Sequence, residues 1–195
     1  MIDYRRKTVI KGQQELRCGY TTGTCAAAAA KAAAVTLLSG EICRDVSLQL
    51  PGGEHIILET EFLECSENCV KCGMIKDAGD DPDITNGLLI CAAVEKTEGE
   101  TILIDGGMGV GRVTKPGLDQ PVGAAAINSV PRKMIHEAVE DVRRQYAWKK
   151  GLKVTVFIPN GKEKAEKTLN PMLGIVGGLS VLGTTGIVEP MSEKA

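Results

Sequence analysis

Residues 19–34, GYTTGTCAAAAAKAAA, decide how the rest of this sequence is read. A polar turn punctuated by Gly19 and Gly23 runs into eight alanines within the ten positions from Cys25 to Ala34. Alanine has the highest intrinsic helix propensity, so the stretch predicts a helix over residues 24–38, closed by Ser39-Gly40. So plain a helix draws attention to its front end. Unpaired backbone N–H groups and the positive end of the helix dipole make a Thr/Gly turn there a natural anion cradle, formed by Thr21, Thr22, Gly23 and Thr24. Small alanines let the helix lie close against its neighbours. Ordinary capping by Thr24 accounts for the same residues about equally well.

Composition narrows the function classes. With 195 residues the chain can bury a sizeable core and has room for one domain plus part of another. Hydrophobic residues make up 43% and aromatic residues 3%, so the core must be aliphatic and alanine-rich, with little stacking surface for bases. The net charge of −2 lacks the basic excess of a generic polyanion binder, so nucleic acid is not the expected partner. No apolar run reaches the roughly 18 residues that span a bilayer. The N-terminus has no apolar core after Arg5-Arg6-Lys7, so neither a membrane nor export is expected. Seven cysteines at irregular spacing suit reduced thiols and a cytoplasmic location.

The segments read as α+β, a mixed sheet with packed helices. Alternating stretches at 46–50 and 56–62 flank Pro51-Gly52-Gly53, as a β-hairpin requires. Residues 87–94 and 101–105 read as strands, the second closed by the glycine-rich run 106–111. Pro131 opens a second helix, with Met134, Ile135, Ala138, Val139, Val142 and Tyr146 at helical spacing and Lys149-Lys150-Gly151 at its end. A strand restarts with Leu152, Val154, Val156 and Ile158. A domain boundary is therefore placed near 150: residues 1–150 form a complete α+β domain, and residues 151–195 begin a second, truncated one. Thr21-Thr22-Gly23 is echoed by Thr184-Thr185-Gly186, too short a match to count as a repeat.

Three further stretches carry possible chemistry. Residues 76–83, KDAGDDPD, place four carboxylates beside Lys76 in a loop shaped by Gly79 and Pro82. Such a loop can hold a metal or supply a general base whose pKa is raised by like-charged neighbours, or it is a solvated turn; EF-hand spacing is absent, which argues against calcium. Gly107-Met108-Gly109-Val110-Gly111 follows a strand but does not open a helix, so a dinucleotide loop is rejected. What remains is a loop bearing Arg112 and Lys115, suited to carboxylates, and a plain surface turn accounts for it nearly as well. Cys65, Cys69 and Cys72 have the C-x3-C-x2-C spacing of radical S-adenosylmethionine enzymes, with Lys71 where those enzymes usually carry an aromatic residue. No fourth ligand suits zinc. His55 and His136 read as surface residues.

LRCGYTTGTCAAAAAKAAA (16–34), KDAGDDPDITNG (76–87), GVGRVTKPGL (109–118), AAINSVPRKMI (125–135) and NPMLGIVGGLSVLGTTGIVEPMSE (170–193), in this order, resemble the CbiD family. The resemblance implies S-adenosylmethionine-dependent methylation of carbon C1 of cobalt-precorrin-5B, giving cobalt-precorrin-6A in anaerobic cobalamin biosynthesis. Cobalt would arrive only as part of that tetrapyrrole; no metal site of the chain's own is implied. The substrate's acetate and propionate groups suit the helix start at Thr21, Thr22, Gly23 and Thr24, together with Lys76, Arg112, Lys115 and Arg132. Asp80, Asp81 or Asp83 is expected to accept any proton the ring loses. The turns at Gly177, Gly178, Gly183, Thr184, Thr185 and Gly186 are expected to take S-adenosylmethionine, since glycine allows close backbone approach.

The chain departs from the family pattern in three places and in length. Asn86 stands where histidine is usual, Ser129 where proline is common, and Cys65, Cys69 and Cys72 where small or apolar residues are common. Members of the family are about twice as long, so the chain reads as the N-terminal half, with a homo-oligomer or a missing C-terminal half as the implied partner. Two alternatives stand beside the methyltransferase: a tetrapyrrole-binding fragment inactive by itself, and a radical S-adenosylmethionine protein using Cys65, Cys69 and Cys72.

Overall fold

The computed structural model describes residues 7–191; Arg5 and Arg6 of the basic N-terminal cluster and residues 192–195 lie outside them. β1 (Thr8–Lys11) and β2 (Gln14–Arg17) pair as a hairpin, and β3 (Gly19–Tyr20) leads into α1 (Thr22–Ser39). The helix begins two residues earlier than expected because Thr21, not Thr24, is the N-cap: its Oγ1 accepts from the Thr24 N–H at 3.2 Å. Gly40, at φ 80°, closes it in the left-handed conformation that glycine tolerates. Every alanine of the run is fully buried. A helix that is apolar all round belongs inside a protein, and this one is the central post of the fold.

Around α1 stand three walls. The hairpin of β4 (Asp45–Gln49) and β5 (His55–Glu59) turns Val46, Leu48, Ile56 and Leu58 towards the core. β6 (Glu61–Cys65), β7 (Cys69–Ile75), β8 (Leu89–Thr97) and β9 (Ile102–Gly106) belong to a five-stranded sheet whose inner strands β7 and β8 lie against the helix. After the short strands β10 (Gly109–Val110) and β11 (Arg112–Val113), α2 (Ser129–Gln145) forms the third wall, burying Pro131, Met134, Ile135, Ala138, Val139 and Val142. Methyl-sized side chains allow sheet, hairpin and second helix to reach the α1 backbone together. Ala29→Leu is therefore expected to destabilise the fold by about 1–3 kcal/mol through overpacking, read from urea unfolding; an unchanged midpoint would mean that the post has spare room.

β12 (Gly151–Phe157) corrects the expected organisation. It inserts between β8 and β9, antiparallel to the first, with Val154 opposite Val94, and parallel to the second, with Val154 opposite Ile104. Sheet and core thus continue through the boundary placed near 150; Leu152, Val154, Val156, Ile158, Leu179 and Val181 share one buried cluster with α1. Lys149-Lys150-Gly151, read as the end of the second helix, belongs to the return turn of a β9–α2–β12 unit, where a helix must end before a parallel strand can pair. The chain then passes α3 (Gly161–Ala165), α4 (Asn170–Leu173), β13 (Ile175–Val176), β14 (Gly178–Leu179) and β15 (Ile187–Val188). These pair in turn with β11, β10 and β3, so the tail threads back to the start of α1.

Candidate functional site

The two Thr-Thr-Gly segments, too short to mean anything as a repeat, lie against each other. The Gly23 N–H donates to the Leu182 carbonyl at 2.8 Å, and the Thr21 N–H to the Gly186 carbonyl at 3.2 Å. Thr24 Oγ1 donates to the same Gly186 carbonyl at 2.7 Å. Thr22 Oγ1 donates to the Leu182 carbonyl at 3.1 Å and accepts from its N–H at 2.9 Å. The anion cradle expected at the helix start is therefore filled by the chain's own carbonyls, and Thr22, Gly23 and Thr24 are buried. An oxygen at the positive end of a helix satisfies the orphan donors whether it belongs to a ligand or to the protein.

The glycines of the tail serve the same close packing. A Cβ on Gly178 would strike the Gly109 carbonyl, one on Gly183 the Thr21 side chain, and one on Gly186 would sit 2.7 Å from Leu50. Of the expected cofactor residues, Gly177, Thr184 and Thr185 remain exposed, and Gly177 stands at φ 85° with open space around it.

The acidic loop packs beside this clasp. Gly79 lies on the backbone of Arg17 and Cys18, and the Asp77 carbonyl accepts from the Tyr20 N–H at 2.7 Å. Asp77 takes both guanidinium nitrogens of Arg17, at 2.6 and 2.9 Å. Lys76 is 1% exposed and bonds Asp83 Oδ2 at 2.6 Å, while Asp83 Oδ1 accepts from the Thr85 N–H and hydroxyl. Burial raises the pKa of Asp83, but the bonds from Lys76 and Thr85 outweigh it and hold the carboxyl below its usual value. That is the opposite of the poised base expected from crowded carboxylates. Asp80 accepts from the Arg17 N–H at 2.6 Å and Asp81 from the Met191 N–H at 3.2 Å. Asn86, standing where histidine was expected, accepts from the Ala78 N–H at 3.0 Å and shapes the loop.

The other expected cations, Arg112, Arg132 and Lys115, each have different partners. Arg112 grips Asp105 with two nitrogens, at 2.7 and 3.0 Å, and this bond holds the Asp105 carboxyl low. Arg132 spends its donors on the carbonyls of Ile127, Ile104 and Ala125, so it staples α2 to β9 instead of facing outward. Lys115 is exposed; its stem covers Gly174 and its ammonium reaches the Met172 carbonyl at 3.2 Å. Lys115 and the partly exposed Arg112 are thus the expected cations within reach of a ligand. Ser129, where proline was expected, is bonded with its N–H and hydroxyl to Asp119, which caps α2 from outside. Sequence reading missed both this contact and the Arg17–Asp77 pair: Arg17 and Asp77 lie 60 residues apart, and Asp119 reaches Ser129 from 10 residues upstream, beyond the local spacing of helix caps.

Cys65, Cys69 and Cys72 do not converge. They lie on the antiparallel strands β6 and β7, where Cys69 and Cys72, an odd number of positions apart, face opposite sides of the sheet. Burial pushes the Cys72 thiol up to about 12, against the thiolate a cluster needs. Among the described residues no three His, Cys, Asp or Glu side chains are grouped to hold a metal ion. No helix among them is long and apolar enough to cross a membrane. A cleft of about 570 Å³ opens between the β4–β5 hairpin and α2, edged by Lys31, Lys133, Glu137 and Asp141, but it contains none of the expected site residues.

Comparison with known proteins places this geometry in a family. The CbiD family model matches residues 9–190. The chain is 52% identical over 187 residues to the cobalt-precorrin-5B C(1)-methyltransferase of Ruminiclostridium cellulolyticum, covering 96% of this chain and 48% of that protein. It is 51% identical over 189 residues to the enzyme of the same name from Priestia megaterium, covering 97% and 52%. The crystal structure of the cobalamin biosynthesis protein CbiD from Archaeoglobus fulgidus superposes with a TM-score of 0.74 at 34% identity, over 96% of this chain and 59% of that one. The chain spans about half the length of the curated relatives it matches. With the five motifs folded into one clasped core and matched along nearly the whole chain, this protein belongs to the CbiD family.

Proposed function

We infer that this chain carries the tetrapyrrole-holding part of a cobalt-precorrin-5B C1-methyltransferase that uses S-adenosylmethionine as methyl donor. The observation that carries the reading is identity of about half, over nearly the whole chain, to proteins bearing that name. In the reaction, the electron pair of ring carbon C1 forms a bond to the methyl carbon while the S–CH3 bond breaks. The sulfonium leaves as a neutral thioether, and a proton lost from the ring passes to a carboxylate. Little covalent work falls to the protein; its contribution is near-attack geometry.

The accessible residues divide that work. Lys115 and Arg112 meet substrate carboxylates, as charge-assisted bonds do best at a partly desolvated surface. Asp80 and Asp81, not engaged by a buried cation, are the proton acceptors. Gly177, Thr184 and Thr185 offer the donor a backbone it can approach. Arg132, Lys76 and Asp83 position these groups through the core and do not touch the substrate.

The test is an anaerobic incubation of the 195-residue chain with cobalt-precorrin-5B and methyl-labelled S-adenosylmethionine, followed by mass spectrometry. A gain of one labelled methyl is expected if the chain holds a complete site. Binding without transfer would assign it the substrate-holding role alone, and absence of binding would sink the reading. Lys115→Ala should weaken tetrapyrrole binding about tenfold, roughly the worth of one charge-assisted bond, while the loss of its exposed bond to the Met172 carbonyl lowers the melting temperature only slightly. Equal affinity of the variant would remove Lys115 from the site.

A further inference from the structure

Residues 169–176 hold a group of apolar side chains outward. Leu169, Met172 and Leu173 are 66%, 75% and 52% exposed, and Val176 is 53% exposed. The first three stand at i, i+3 and i+4 around one turn, closed by the Leu173 N–H donating to the Leu169 carbonyl at 3.0 Å, so they share a face. Nothing about the segment lets it roll inward. Asn170, on the inner side, donates to the Gly178 carbonyl and accepts from Ser180. Gly174 is held by the Thr114 N–H and hydroxyl, at 2.7 and 2.8 Å, and Lys115 bonds the Met172 carbonyl. Anchors of this kind fix the apolar face towards solvent, where contiguous apolar surface marks an interaction site.

We propose that this face, Leu169, Met172, Leu173 and Val176, docks the part of the family's polypeptide that lies outside this chain. Two observations select that occupant. The chain covers about half of each curated relative, so a segment of comparable length exists in those proteins and has to pack somewhere. The face also borders Lys115, and Val176 pairs in register with Arg112, the two expected cations that remain within reach of a ligand. A second layer seated there would cover the apolar turn and form a wall beside both cations, placing the tetrapyrrole site at the junction. The docking proposal rests on family membership and not on the methyl-transfer reading.

The experiment uses the full-length Ruminiclostridium cellulolyticum relative, with a photo-crosslinking residue at the position aligned with Met172 and, as control, at the position aligned with the exposed Leu103. After irradiation and digestion, the Met172 position is expected to crosslink within the same molecule to the half of the relative that this chain does not match, and the Leu103 position is not. Crosslinks confined to the matched half, or none at all, would overturn the assignment. In the 195-residue chain itself, Met172→Gln with Leu173→Gln should at least halve the fluorescence of a bound apolar dye at an unchanged melting temperature. A discrete dimer that these substitutions dissolve would give the face to a second copy and likewise overturn it. Neither readout needs methyl transfer, so failure here is distinguishable from failure of the proposed activity.

Discussion

Gly178→Ala is expected to unfold much of the tail and lower stability by about 3 kcal/mol or more, because its new methyl has nowhere to go. In the parallel pair of β14 with β10, a Cβ at this position would strike the Gly109 carbonyl and sit 2.6 Å from the Val110 carbonyl carbon. These are backbone atoms, so no rotamer change relieves the clash. For a protein of this length the melting temperature should fall by roughly 10 °C. Gly177→Ala is the control. Its φ of 85° makes alanine strained, costing about 1–2 kcal/mol, but its surroundings are open. Thermal melts of the two variants separate a packing glycine from a ligand-facing one; equal melting temperatures would mean that β14 and β10 do not approach as described.

Asp83→Asn should destabilise the protein by about 3–5 kcal/mol, since it leaves the ammonium of Lys76 buried at 1% exposure without its counter-charge. Lys76→Met combined with Asp83→Leu should recover part of that loss, because removing both charges avoids the orphan; the bonds to Thr85 would still be missing. The pH dependence has a definite sign. The folded-state pKa of Asp83 lies below its ordinary value of 3.8. Its contribution is therefore present in full above that value and is lost as pH falls through the lower folded one. Melts at neutral pH should separate wild type from Asp83→Asn widely, and the gap should narrow only below about pH 3.8. A gap that is already small at neutral pH would show the pair to be loosely solvated.

Local pattern determined a good deal. The alanine run specified a helix by propensity, the alternating stretches around Pro51-Gly52-Gly53 specified a hairpin, and the spacing from Met134 to Val142 specified the buried face of α2. The five motifs in order were enough to reach the family. Each of these is a property of neighbouring residues, visible without knowing what packs against them.

Only the tertiary structure decided which of the candidate residues are free. Thr22 and Gly23 look like a ligand cradle until Leu182, 160 residues later in the chain from Thr22, supplies the oxygen. Arg132 and Lys76 look like substrate cations until backbone carbonyls and Asp83 consume their donors. Gly178 and Gly186 look like cofactor turns until the backbone of Gly109 and the side chain of Leu50 fill the space. The reason is common to all of them: a charge, a hydroxyl or a missing side chain reads the same in sequence whether its partner is a ligand or a distant piece of the same chain. Choosing between the two is a matter of long-range pairing, and the insertion of β12 between β8 and β9, which carries the tail back to the start of α1, is what makes that choice here.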